Sequence, residues 1–168
     1  EYKKVLEIEP GDPEALLYLA LIAFRRGDLA ESKKLLLRAR DIEKKPSILI
    51  NLGYLMNKQR QYGEAVQYLN EAKELVPEDP KVACNLGIAH YWNGDYELAK
   101  NHFEALMANH PDLMTPYHYL AIIFYKRGDM EKAVNLTKEA IDKFPRLGSL
   151  KNNLALLCES MDRPEEAE

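Results

Sequence analysis

Cysteine, tryptophan and long apolar stretches are what this chain has least of. Two cysteines, Cys84 and Cys158, are too few for a disulfide framework, which excludes the small secreted domains held together by bridges. No uninterrupted apolar run approaches the ~20 residues of a membrane span, so no membrane contact is expected of these residues. An excess of positive charge is missing as well. Lys and Arg number 23 against 27 Asp and Glu, a net charge of -4, so no overall field gathers nucleic acid or an anionic membrane. What is present is core material, 46% hydrophobic and 30% charged in 168 residues, the balance of a soluble globular protein. A reducing, cytoplasmic setting is the corresponding expectation. The chain opens at Glu1 without methionine and stops at Glu168 inside a helix-like stretch, so it reads as a piece of a longer protein.

The ingredients of catalysis are also scarce. No two of His90, His102, His110 and His118 stand at i, i+4, no His-Glu-x-x-His is present, and no glycine-rich phosphate loop appears. His90 reads as part of a buried stripe and His102 as a neighbour of the packed Phe103. Cys158 also reads as buried, and Cys84 lies two repeats from it, beyond disulfide reach. No enzyme activity, cofactor or metal is expected. Arg26-Gly27-Asp28 and Arg127-Gly128-Asp129 look like an adhesion tripeptide but coincide with recurring turns.

Those turns are part of a period. Pro77, Pro111 and Pro145 stand 34 apart, as do Gly94 and Gly128, with Pro10 and Gly27 each a further 67 back. Leu19, Leu52, Leu86, Leu120 and Leu154 mark the phase, at spacings of 33, 34, 34 and 34. A small residue always follows: Ala20, Gly53, Gly87, Ala121, Ala155. Thirteen places after each leucine stands another small residue: Ser32, Ala65, Ala99, Ala133, Ala167. Two small positions per unit imply two helices in close approach. Leu49, Leu52, Gly53 and Met56 fall at i, i+3, i+4 and i+7, one buried helical stripe, and Tyr117, Leu120, Ala121 and Phe124 repeat it. Gly27, Gly94 and Gly128 end one helix and the following Asp caps the next. Each unit is a helix, a tight turn, a helix and a proline-marked turn.

This pattern resembles the tetratricopeptide repeat family over nearly the whole chain. Asn51-Leu52-Gly53, Asn85-Leu86-Gly87, Tyr119-Leu120-Ala121, the alanines from Ala65 to Ala167, Phe103 and the prolines Pro77, Pro111 and Pro145 carry the resemblance. Residues 1–12 then end a preceding repeat, units follow at 13–45, 46–79, 80–113 and 114–147, and 148–168 form a partial unit opened in its second helix by Pro164. Lys44 stands where a proline is expected and the first full unit is one residue short, so the turn at Lys44 to Pro46 is expected to differ. Arg60 replaces the turn glycine of its unit. The resemblance implies an all-α, right-handed α-solenoid of stacked antiparallel helix pairs, a superhelix whose first helices line a concave face that binds an extended peptide or a helix. With neither terminus supplying a polar cap, self-association through uncapped ends is a further expectation.

On that face, two residues after each marker leucine, stand Leu21, Tyr54, Ile88, Ile122 and Leu156. Two before it stand Leu17, Ile50, Cys84, His118 and Asn152, and five after it Phe24, Asn57, Tyr91, Tyr125 and Glu159. Immediately before it come Tyr18, Asn51, Asn85, Tyr119 and Asn153. An amide both donates and accepts, so one asparagine per repeat suits a peptide backbone. The series resembles the asparagine ladder in the repeat domain of O-linked N-acetylglucosamine transferase, broken here by Tyr18 and Tyr119. The carboxylate clamp of chaperone-binding relatives maps to Leu17, Leu21, Asn51, Lys81 and Asn85, of which only Asn51 and Lys81 match. Recognition of an acidic C-terminus is therefore not expected. The groove expectation comprises Leu17, Leu21, Ile50, Asn51, Tyr54, Lys81, Asn85, Ile88, Tyr91, His118, Tyr119, Ile122, Tyr125 and Asn153. Its occupant is another protein. A recognition module of a larger enzyme, such as a glycosyltransferase, is the alternative, and RNA binding is disfavoured by the acidic charge and the apolar inner series.

Overall fold

The structure is a computed structural model that describes residues 11–146. The described residues form eight α-helices: α1 Pro13–Arg25, α2 Leu29–Ile42, α3 Pro46–Lys58, α4 Tyr62–Leu75, α5 Pro80–Asn93, α6 Tyr96–Asn109, α7 Met114–Lys126 and α8 Met130–Lys143. No strand occurs among these residues.

Local chemistry sets each boundary. Proline opens α1, α3 and α5, where its missing N–H costs nothing. Asp12 Oδ1 accepts from the N–H groups of Glu14 at 2.8 Å and Ala15 at 3.3 Å, and Asp79 Oδ1 accepts from Lys81 N–H at 2.7 Å. Between paired helices, Gly27 and Gly128 adopt φ of +82° and +78°. The next amide then reaches back five residues, Asp28 N–H to Ala23 O at 3.0 Å and Asp129 N–H to Phe124 O at 2.9 Å. The aspartate side chains accept from Glu31 and Lys132 N–H in turn, capping α2 and α8.

Arg60 occupies the same left-handed position at φ +60°, and Gln61 N–H closes the same bond to Met56 O at 2.9 Å. The fold thus imposes the turn even where glycine is absent, at the steric cost of a Cβ in that region. Arg60→Gly is expected to raise stability by about 0.5–1 kcal/mol, after allowing for the extra freedom of glycine in the unfolded chain. Chemical denaturation measures it, and a lower midpoint in the variant would refute the strain.

The shortened first unit has the altered exit its length implies. The exits after α4 and α6 each close an i to i+3 bond, Asp79 N–H to Val76 O at 3.2 Å and Leu113 N–H to His110 O at 3.1 Å. After α2 only residues 43–45 intervene, and Lys45 N–H instead bonds Glu43 O at 2.9 Å.

The chain divides into two compact units at the Gly94–Asp95 peptide. In the first, α1 packs along α2 and α3 along α4, and α5 lies against both α3 and α4. One core runs through all five helices, from Leu16 and Leu36 through Leu49, Leu52 and Leu69 to Val82 and Leu86. In the second, α7 packs against α6 and α8, with Tyr117 and Ala140 buried among Met107, Met114, Leu136 and Phe144. The small positions pack as their recurrence implied: Ala20, Gly53, Gly87, Ala121, Ser32, Ala65, Ala99 and Ala133 are all buried.

Burial departs from the stripe reading in places. Leu52, Leu86 and Leu120 are buried, whereas Leu19, His90 and Phe124 are half-buried. The first helices also bury a second face, with Ile48, Leu55, Ala89 and Ile123 at 0–1% exposure, because each is packed on more than one side. Leu154, Cys158 and the rest of the 148–168 unit lie outside the described residues.

Candidate functional site

The first helices of the first unit carry an open cleft of about 570 Å³. Ile50, Asn51 and Tyr54 line it from α3, and Lys81 and Asn85 from α5. Lys45, Pro46, Ser47 and Asp79 complete it; the groove expectation omits these four, although they sit at the helix starts that the prolines mark. The side chains converge because α3 and α5 are neighbouring first helices, held together near the cleft by Asn57. Its Nδ2 donates to Asn85 O at 2.9 Å, a link across 28 residues that no pattern of polarity announces.

Hydrogen bonding defines what the two asparagines offer. Asn51 Nδ2 donates to Ser47 O at 2.7 Å and Asn85 Nδ2 to Lys81 O at 2.9 Å, each a carbonyl four residues back on its own helix. These bonds fix both amide planes and leave the Oδ1 atoms as acceptors. The pair therefore suits N–H donors, and its grip on a peptide C=O is reduced to the second amide hydrogen.

The aromatic and charged groups are similarly arranged. Tyr54 is 38% exposed, with its ring centroid 5.4 Å from that of Phe24 in α1 and Lys58 Nζ 5.3 Å from the ring centre. One part of a large apolar surface is thus anchored and the other is open. Lys45 Nζ lies 3.2 Å from Glu43 and 3.3 Å from Glu14, and these carboxylates, Glu43 foremost, hold its ammonium charged above the ordinary lysine range. Lys81 is exposed at the rim and has no carboxylate partner among the described residues.

The other expected groove residues divide by unit. Leu17, Leu21 and Ile88 are half-buried in the first unit. Tyr91 is only 7% exposed, with its ring edge-on to Trp92 at 5.1 Å, whereas Tyr125 at the same register is half-buried. In the second unit His118, Tyr119, Ile122 and Tyr125 are half-buried along α7. Tyr119 stacks on Phe103 of α6 with centroids 4.9 Å apart and planes 8° from parallel, so this rung is a packing group where its counterparts are amides. Asn153 lies outside the described residues.

Burial pushes His118 below the ordinary histidine value, because the charged imidazolium loses hydration there. Above about pH 6.5 the ring is neutral in folded and unfolded chains alike. As the pH falls through that value the unfolded chain takes up a proton that the folded chain resists, so stability is lost on acidification. His118→Gln is expected to flatten the fall in denaturation midpoint between about pH 7 and pH 5. An unchanged slope would assign it to other groups.

No group of three or more His, Cys, Asp and Glu is placed to hold a metal among the described residues. No helix there is long and apolar enough to cross a membrane. What the site offers is apolar surface, fixed amide acceptors and two lysines, of which Lys45 is paired with Glu14 and Glu43 and Lys81 has no carboxylate partner among the described residues.

Comparison with known proteins agrees with the architecture. Three family models, each described as tetratricopeptide repeat, match residues 1–47, 56–121 and 117–146. The chain is 28% identical over 163 residues to the BBSome complex member BBS4 of Bos taurus, covering 92% of this chain and 30% of that protein. It is 26% identical over 116 residues to the cell division cycle protein 16 homolog of Homo sapiens, covering 63% of this chain and 19% of that one. The chain thus spans less than a third of these relatives. Among solved structures, MamA residues 41 to the end from Desulfovibrio magneticus RS-1 superposes with a TM-score of 0.80 at 22% identity, covering 90% of this chain and 87% of that one. YrrB, described as a TPR protein with an unusual peptide-binding site, gives 0.77 at 21% identity, covering 90% and 79%.

Proposed function

The chain belongs to the tetratricopeptide repeat family, and from that premise we propose that it is a non-catalytic scaffold that binds a partner protein, as an extended peptide or a helix, on its first helices. The observation that carries the reading is the cleft between α3 and α5, where Tyr54 and Ile50 stand beside the Oδ1 acceptors of Asn51 and Asn85. Apolar side chains of the partner would bury against Ile50 and Tyr54, contributing roughly 25 cal/mol per Å² removed from water. The amide oxygens would take N–H groups of the partner and set its register without reading its sequence.

Such a site binds mainly by apolar burial. A partner recovered from the native source and purified is expected to give a negative heat-capacity change in titration calorimetry. Its affinity should change less than about threefold between 50 and 200 mM salt, since Lys45 is already paired with Glu14 and Glu43 and the exposed Lys81 contributes little. A partner that loses most of its affinity over that range contradicts the reading.

A further inference from the structure

Away from the cleft, the outer side of α2 carries a second depression of about 910 Å³, reaching from Gly11 before α1 to Gln59 after α3. It follows α2 from Ala30 to Ile42, about 18 Å at the helical rise. Leu37 lines its floor, and Ile42, 48% exposed, stands at one end. Lys33, Lys34 and Arg38 supply cations, with Lys34 and Arg38 at i, i+4 on one face. Asp41, the one carboxylate among the described residues that line the depression, is 2.8 Å from Arg40 Nη2.

The setting makes this patch unusual in its chain. Residues 25–45 hold eight Lys and Arg against four Asp and Glu, a net +4, whereas the remainder carries 15 against 23. Part of this charge is structural, since Lys33 reaches Glu64 at 3.0 Å and Lys44 reaches Glu71 at 2.9 Å, tying α2 and the connection after it to α4. Lys34 takes no part in that, being 77% exposed and 3.7 Å from Glu31 one turn back on α2. The other second helices do not repeat the feature. The places of Lys34 and Arg38 are held by Gln67 and Glu71 in α4, Asn101 and Ala105 in α6, and Asn135 and Glu139 in α8.

We infer that this face of α2 is a second docking surface, for an acidic amphipathic helix of a partner protein whose carboxylates meet Lys34 and Arg38 and whose apolar residues enter over Leu37 and Ile42. The depression matches about three turns of helix in length. Apolar and cationic side chains line it together, which suits a ridge of side chains better than a bilayer. Among the described residues no aromatic ring lines it, so these side chains offer stacked bases of a single-stranded RNA no platform. Charge complementarity would set encounter rate and orientation, with apolar burial holding the complex.

The test uses a displayed library of random peptides about 16 residues long, selected on Tyr54→Ala/Asn85→Ala so that the α3–α5 cleft contributes nothing. Enriched sequences are expected to carry Asp or Glu at i, i+4 beside Leu or Ile. The synthesised consensus peptide should bind the parent chain and the cleft variant alike, and about tenfold more weakly to Lys34→Glu/Arg38→Glu. Its affinity should fall several-fold between 50 and 200 mM salt, unlike that of a cleft partner. Circular dichroism of the charge-reversed variant should match the parent, as these are exposed side chains. Absence of an acidic consensus, or a consensus bound equally by the charge-reversed variant, overturns the inference. So does sedimentation of the parent chain, but not that variant, with phosphatidylserine vesicles when no acidic peptide is enriched, which would assign the patch to a membrane surface.

Discussion

Gly53→Leu is expected to destabilise the chain by about 3 kcal/mol, at the upper end of ordinary overpacking. Gly53 marks the close approach of α3 and α4. A Cβ added there would fall on Leu69 Cγ and stand 2.6 Å from Cδ2. Leu69 is fully buried in the core that includes Leu52, Ala65 and Ala72, so it has no open side to retreat to. Leucine at this position must therefore spread the helix pair. Gly53→Ala should cost less, about 1 kcal/mol, because the clash is partly offset by the better helix propensity of alanine. A double-mutant cycle identifies the cause. Leu69→Ala alone should cost about 2–5 kcal/mol, and joined to Gly53→Ala it should cost at least about 1 kcal/mol less than the sum, since removing the leucine branch makes room for the methyl. Urea midpoints provide the measurement. A Gly53→Leu variant as stable as its parent would mean that the repeat has been phased wrongly.

Tyr54→Ala combined with Asn85→Ala is expected to weaken partner binding about 30- to 150-fold while leaving the fold intact. The tyrosine accounts for most of the loss, about 1–2 kcal/mol for a half-open aromatic anchor. The amide adds about 1 kcal/mol, the net value of an intermolecular hydrogen bond. Structure should survive for separate reasons at each position. Among the described residues the Asn85 side chain bonds only Lys81 O of its own helix, and the acceptor that Asn57 uses is the Asn85 backbone carbonyl, which alanine keeps. Tyr54 is partly exposed, and its removal forfeits the ring contact with Phe24 but opens no closed cavity. Equal affinities of parent and variant would remove the cleft from the account, and a large drop in melting temperature would make the affinity loss uninformative about contact.

The architecture is legible because a period of 34 residues states which side chains share an environment. Leu52, Leu86 and Leu120, and the small residues after them, are buried as that register requires, and the missing residue before Pro46 foretells the altered exit after α2. The second buried face of the first helices is less legible. Leu55, Ala89 and Ile123 recur three places after the leucine, yet a single stripe accounts for one neighbour only, where a stacked helix touches several. Tyr91 is buried where Tyr125 at the same register is half-buried, since register gives the direction of a Cβ and the neighbours set the exposure of the ring beyond it. The asparagines illustrate a different limit. Their positions follow from the repeat, but the commitment of each Nδ2 to a carbonyl four residues back depends on side-chain rotamer, which sequence does not encode residue by residue.

Amide hydrogen exchange on the chain with and without its purified partner tests the central claim most directly, since it reports the covered helices without any substitution. The account predicts slowed exchange in Pro46–Lys58 and Pro80–Asn93, strongest around Asn51, Tyr54 and Asn85. Slowing confined to Leu29–Ile42 and Tyr62–Leu75, with those first helices unchanged, would contradict it.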